Sequence, residues 1–361
     1  VGLSADQRPG TILQVRWSEA FPALILVRAV TTSLSWQMLV LAAIALAMIE
    51  GGWHLVERTW PGTPPTHATF IPLAQAAHVG WWPPEEIAVP VDDQSASFTR
   101  SLLSNRWSGP LLQAWAWAIE PMDRFRNATN VREVVCLHLL VVWLLMVAAV
   151  LGTAMARFAA RRLTGDAQRS DVAWSERWSQ SLAVIVASLV AYGCLVGVTG
   201  GLVFAGWVAQ WNWIGPLVGL GWGLVLAGGL LWLVIAGGLL IGWPLLVAAS
   251  AVERADAFDL LSRWYAYVYQ RPIHLAGYLL FASAIGLVAQ ACLSSLVTAV
   301  GRVVDYCVSY AGTHALPASA EWWNLGLRQI AIAYPLSCVV SVSVGVYLLL
   351  RKEIDDCEMD Q

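Results

Sequence analysis

Several apolar stretches in this chain run past the roughly 18 residues needed to cross the hydrocarbon core of a bilayer, and this constrains the fold more than any other feature. A soluble core has no use for uninterrupted runs of that length. The composition agrees: 58% of the 361 residues are hydrophobic and only 12% are charged, where a soluble domain devotes about a quarter to charge. The expected fold class is an all-α membrane protein, a bundle of about six transmembrane helices bordered by three amphipathic cytoplasmic interfacial helices. The lipid bilayer is then its first partner.

The windows fall at 34–50, 134–155, 182–208, 217–247, 274–297 and 329–350. The fourth is longer than a simple crossing needs, which predicts a tilt, a break or an end outside the hydrocarbon. Its Gly228-Gly229 and Gly237-Gly238 pairs and Pro244 mark break points. The division that follows is a cytoplasmic N-terminus over 1–33, a first span, an outer segment over 51–133, a membrane bundle over 134–350, and a cytoplasmic tail over 351–361. Arg157, Arg161, Arg162 and Arg351-Lys352 directly follow spans. Basic residues accumulate on the cytoplasmic side, so both termini are expected inside, in a cytoplasmic (inner) membrane. The polar first residues lack the layout of a cleavable leader, so the first apolar helix reads as a retained anchor.

The outer segment is rich in Pro and Trp, including Trp81-Trp82-Pro83-Pro84, and carries the acidic pairs Glu85-Glu86 and Asp92-Asp93. Its first half reads as irregular chain. Its second half places Leu111, Trp115, Ala118, Ile119 and Met122 at helical spacing, which predicts a helix on the membrane surface, in keeping with the preference of Trp for headgroup level. A ligand-stacking platform is the alternative.

Three segments entering odd-numbered spans are amphipathic and hold an Arg: 21–33 with Arg28, 172–181 with Arg177, and 257–269, where Asp259 and Arg263 stand at i,i+4 and can pair. Such helices lie in the interface with their charged faces toward the headgroups. The second and third units share further detail. Gly152 precedes Asp166-Ala167, and Gly242 precedes Asp256-Ala257, at the same distance, the pattern of a parallel repeat.

The run Glu253-Arg-Ala-Asp-Ala257-Phe-Asp-Leu-Leu-Ser-Arg263, ending at Arg271-Pro272, resembles a motif of uncharacterised bacterial polytopic membrane proteins. Related patterns occur in the membrane domain attached to some glycerophosphodiester phosphodiesterases. Gly152-Thr-Ala-Met-Ala-Arg157-Phe-Ala-Ala160 is similar to a turn of the same proteins. The resemblance covers short segments, no phosphodiesterase domain accompanies it, and it implies an architecture without carrying over a catalytic residue.

Small residues recur every four positions at Gly193, Gly197 and Gly201, at Gly219 and Gly223, and at Gly238 and Gly242. In lipid this period lets backbones approach closely, marking bundle-internal faces or a homo-oligomer seam. A narrow pore lining is the alternative. Ser283, Gly286, Gln290, Ser294 and Thr298 share one face of the fifth span, and Tyr334, Cys338, Ser341 and Gly345 one face of the sixth. These are hydrogen-bonding glue between helices or a polar path for a small molecule.

Ionisable groups within spans are few. They include His138 near the start of the second and Glu50 at the outer end of the first, with Arg302 and Asp305 just beyond the fifth. The absence of paired acids or histidines at mid-depth argues against ion-coupled transport. Lys352 is the only lysine, which excludes the phosphate-loop and kinase nucleotide sites. The net charge of −3 gives no basic stripe for nucleic acid. The six cysteines show no C-x-x-C pair and the six histidines no H-E-x-x-H, although His54, His67 and His78 share the outer segment. No metal or other cofactor is expected. The resulting expectation is a non-enzymatic scaffold or accessory subunit of a membrane complex, partnered by copies of itself or by other membrane proteins. The alternative is a permease or channel-like protein for a small solute or lipid.

Overall fold

The structure, a computed structural model, describes residues 23–59, 109–128, 130–165, 174–211, 213, 215–253, 255–310 and 318–355. The N-terminal 1–22, most of the outer segment with its Trp-Pro runs, His67, His78, His314, Asp166-Ala167 and the tail from 356 lie outside the described residues.

The described chain is helical, with no strand among the described residues. Its helices are α1 (Leu24–Ser33), α2 (Trp36–Thr59), α3 (Pro110–Asn127), α4 (Val131–Thr164), α5 (Trp174–Val208), α6 (Gly215–Leu220), α7 (Trp222–Val252), α8 (Ala257–Gln270), α9 (Pro272–Tyr310) and α10 (Ala318–Asp355). Six of them, α2, α4, α5, α7, α9 and α10, are long and apolar enough to cross a membrane.

Local chemistry sets several ends. α4 starts after Asn130 with Glu133 in its first turn and ends with Arg161 and Arg162 in its last, the charge order that a helix dipole favours. It stops at Gly165, whose φ of 76° is left-handed and whose N–H reaches the Arg161 carbonyl at 3.1 Å. Only glycine enters that region without penalty. α2 runs on past residue 50 through Gly51-Gly52. There the Trp143 indole donates to the Met48 carbonyl at 3.0 Å, and a Cβ on Gly52 would stand 2.1 Å from its Nε1. The fourth apolar window overlaps the short α6 and the unbroken α7. Pro244 lies inside α7 and removes the N–H that the Leu240 carbonyl would otherwise accept.

The bundle closes around α10, which is buried from Ala333 to Pro335 and throughout Ser341–Leu350. α1, α2, α3, α4, α7 and α9 all pack against it. Two helices expected at the membrane surface bury one face against the bundle and keep the other exposed. α1 buries Leu26, Ala29, Val30, Thr32 and Ser33 and lies along α10, with Leu26 and Ala29 over Gly345. α8 buries Leu260, Trp264, Tyr267 and Val268 and sits in a groove of α7. The physical reason is the same for both. An amphipathic stripe is equally satisfied by headgroups or by a facing helix, and here glycines on the facing helix make room.

Candidate functional site

A further helix expected at the surface, α3, builds the site. Gly109 and Pro110 at its start are buried, with proline at the first helical position, where a missing N–H is harmless. A Cβ on Gly286 of α9 would stand 2.8 Å from Pro110 Cγ and 3.3 Å from Cys338 Sγ of α10. A Cβ on Gly109 would stand 2.8 Å from Ser283 Oγ. Further along, the Trp115 indole donates to the Leu240 carbonyl of α7 at 3.2 Å. Gly286, Cys338 and Leu240 each lie within about 6 Å, at 1.5 Å per residue, of the middle of their span-length helices. α3 therefore starts at mid-depth of the bundle, and its other end reaches Phe125, whose ring meets that of His138 edge-on at 4.7 Å.

Around this point the polar stripes separate by role. Gln290 Nε2 donates to Gln113 Oε1 at 2.8 Å. Gln290 Oε1 is buried and without a hydrogen-bond partner among the described residues. The Tyr334 hydroxyl donates to the Gly286 carbonyl at 3.4 Å. Ser337 and Ser341 turn toward α1, donating to the carbonyls of Ser33 at 3.1 Å and Ala29 at 2.8 Å. Ser294 is exposed and spends its hydroxyl on the Ala291 carbonyl of its own helix. Thr298, one turn further, is half-buried. Ser283 and Gln290 are thus brought together with Tyr334, whereas Ser294 and Thr298 extend beyond the site and Ser341 belongs to the α1 contact. Gln113, Pro110 and Trp115, contributed by α3, complete the arrangement. The helical spacing of Trp115 was the one signal for them.

No protein-family model, curated protein or solved structure matches the chain. The groups at mid-depth are amides, hydroxyls and one buried thiol, which suit hydrogen bonding and supply no acid–base pair. Among the described residues no three His, Cys, Asp or Glu side chains converge as a metal would require.

A second polar cluster lies where α7 turns into α8. The pair Asp259–Arg263 forms at 3.2 Å, but it is one edge of a larger knot. Glu253 also pairs with Arg263 and, at 3.2 Å, with Arg351 of α10, and it accepts the Tyr347 hydroxyl at 2.7 Å. Burial works against the Arg263 charge, but Asp259 and Glu253 outweigh it and hold its pKa above the ordinary guanidinium value. Glu253 opens the sequence motif quoted above, which was the available signal. Arg351 and Tyr347, almost a hundred residues away, gave none.

The glycines divide sharply. A Cβ on Gly238 would stand 2.3 Å from Tyr265 Cε1, and one on Gly242 would stand 1.8 Å from Trp264 Nε1. The same atom on Gly193, Gly197, Gly201, Gly219 or Gly223 would meet nothing within 4 Å. His138 turns Nδ1 to the Val134 carbonyl of its own helix at 2.7 Å, and Glu50 lies 3.6 Å from His54.

Proposed function

We propose that this chain is a non-catalytic, multi-pass protein of the cytoplasmic membrane with both termini on the cytoplasmic side, acting as a scaffold or accessory subunit of a membrane complex. The observation that carries this reading is the fate of the polar groups on α10. Tyr334, Ser337 and Ser341 each donate to a backbone carbonyl of a neighbouring helix, so these three hydroxyls are spent on holding helices together. Hydrogen bonds between apolar helices are worth about 1 kcal/mol each, and three on one helix make a rigid centre. The basic residues at the ends of α4 and α10, Arg161, Arg162 and Arg351, support the orientation. Extraction of native membranes into polymer-bounded lipid discs, with and without a membrane-permeant crosslinker, tests this. A stoichiometric partner or a homo-oligomer is expected, and a lone monomer under both conditions overturns it.

One observation favours permeation as a second reading. Gln290 Oε1 is buried without a partner among the described residues, beside the mid-depth end of α3. A helix end in the middle of a bundle is how some transporters form binding sites. If a solute flux is found in vesicles carrying the wild type, Gln113→Leu and Gln290→Leu should abolish it. Undiminished flux through both variants sinks this reading.

A further inference from the structure

The apolar surface of this protein ends at different heights on its two flanks. α4 carries Arg132 and Glu133 near one end and Arg157 toward the other, leaving about 34 Å of helix free of Asp, Glu, Lys and Arg at 1.5 Å per residue. α5 and α7, by contrast, belong to a stretch from Trp178 to Val252 that holds no Asp, Glu, Lys, Arg or His at all.

Two contacts fix α5 against α4. Thr153 Oγ1 and Ser181 Oγ lie 2.9 Å apart, and further along the rings of His138 and Tyr192 are 6.0 Å apart. Beyond His138, α4 has only about 10 Å left before its first residue, Val131. Beyond Tyr192, α5 continues for about 24 Å to Val208. Counted from the His138–Tyr192 contact the hairpin of α5 and α7 outruns α4 by about 14 Å along the helix axes, and counted from the Thr153–Ser181 contact by about 8 Å. It stays paired as it does so, with Trp232 Nε1 donating to Thr199 Oγ1 at 2.9 Å.

The projecting part is apolar on its outward faces. Leu224, Leu226, Leu230 and Leu233 of α7 are exposed within one half of the helix, and the exposed Val203, Phe204 and Trp207 of α5 continue the surface. A protein interface carries a polar rim, whereas hydrocarbon needs none, and this stretch holds no charged side chain. At the tip, Trp207 and Trp211 meet at 4.9 Å, Trp213 is 91% exposed, and the neighbouring polar residues in the sequence, Gln210 and Asn212, are uncharged. Indoles beside an amide belong at headgroup level. The surface is also continuous with the exposed apolar face of the same helices lower down.

We infer that the end of this hairpin is embedded in lipid, so that the apolar belt rises higher on the α5/α7 flank than on the α4 flank and imposes a thickness step on the surrounding bilayer. The inference rests on the membrane reading above and adds the lipid surface as the occupant of the hairpin end.

The test places a single cysteine at Leu226, Arg132 or Met146 in a chain whose native cysteines are alanine. Leu226 is an exposed residue of the projecting part, below the tip. Each is labelled with an environment-sensitive nitrobenzoxadiazole and reconstituted in dioleoylphosphatidylcholine vesicles. Met146 is an outward-facing residue in the middle of α4 and reports insertion itself. Iodide in the aqueous phase should quench the label at position 132 severalfold more than those at 146 and 226. Quenching at 226 equal to that at 132, with 146 still protected, overturns the inference and leaves the membrane reading standing. Quenching at 146 as well overturns both. Protection at 226 that disappears on dilution with lipid assigns the surface to a second copy of the chain and also overturns it. If the cysteine-free chain does not fold, a fluorescent residue inserted at 226 of the otherwise native protein gives the same readout.

Discussion

The Trp115 indole N–H meets the carbonyl of Leu240 at 3.2 Å, and Leu240 stands four residues before the Pro244 that lies inside α7. A proline within a helix leaves the carbonyl four residues earlier without its donor. The indole of a different helix occupies the gap, so α3 and α7 are joined through a defect in one of them.

Trp115→Phe should therefore destabilise the bundle by about 1–3 kcal/mol, the range for a buried polar group left unmet. Pro244→Ala restores the missing N–H. The Trp115→Phe/Pro244→Ala chain should regain part of that stability, as read by unfolding in mixed micelles of rising denaturing-detergent fraction. Additive losses in the double variant would show that the two residues act separately.

Gly238→Ala and Gly242→Ala should each lower the thermal midpoint, because the added methyl would lie within 2.3 Å of Tyr265 or Trp264. Overpacking of this kind costs about 1–3 kcal/mol. Gly197→Ala is the control, since its methyl meets nothing within 4 Å. Its effect should be neutral or stabilising by up to about 1 kcal/mol from helix propensity. Equal losses at all three positions would remove the distinction.

Glu253→Gln should loosen the end of α10 from the start of α8. The Glu253 side chain is 12% exposed, whereas Arg263 is 40% and Arg351 23% exposed, so water reaches the orphaned guanidiniums and limits the loss to about 2 kcal/mol. A double-mutant cycle with Arg351→Gln should return a coupling of about 1–2 kcal/mol. A coupling of zero would reduce the knot to proximity.

Burial, reinforced by Tyr269 and Cys194, pushes the Tyr265 phenol up to about 12, from about 10 for a free tyrosine. The folded state therefore holds this proton more tightly than the unfolded state. The resulting stability is complete below about pH 10 and is lost as pH rises through 12. Tyr265→Phe should flatten the fall in stability across that window, as followed by alkaline unfolding of the detergent-solubilised protein. An unchanged slope would place the loss elsewhere.

The long helices were legible because a run such as that of α4, uncharged from Val134 to Ala156, has one economical fate. The positions of α1, α3 and α8 were not. The stripe Leu260, Trp264, Tyr267 and Val268 reads identically whether it faces headgroups or α7. The deciding features, Gly238 and Gly242, sit in another helix and resemble Gly193 and Gly197, which face open space. At the site, Ser283 and Gln290 were visible as a stripe on one helix. Their partner Gln113 was not, because the depth of α3 is set by contacts of Pro110 with residues more than 170 positions away. Asp259–Arg263 was visible because its spacing is local, and Arg351 was missed because its reach is long.

The helix at the centre of the bundle follows the five other span-length helices in the chain. During synthesis, α1 through α9 emerge before the surface they close upon exists. The carbonyls of Ser33 and Ala29, later taken by Ser337 and Ser341, lack those donors until then. Pairs such as α5 with α7 and α2 with α4 form without α10, and the contacts that gather α1, α2, α3, α4, α7 and α9 around it come last. On the membrane reading proposed above, a ribosome stalled before residue 318 would leave those pairs without their common centre, open to quality-control proteases along the face that α10 covers.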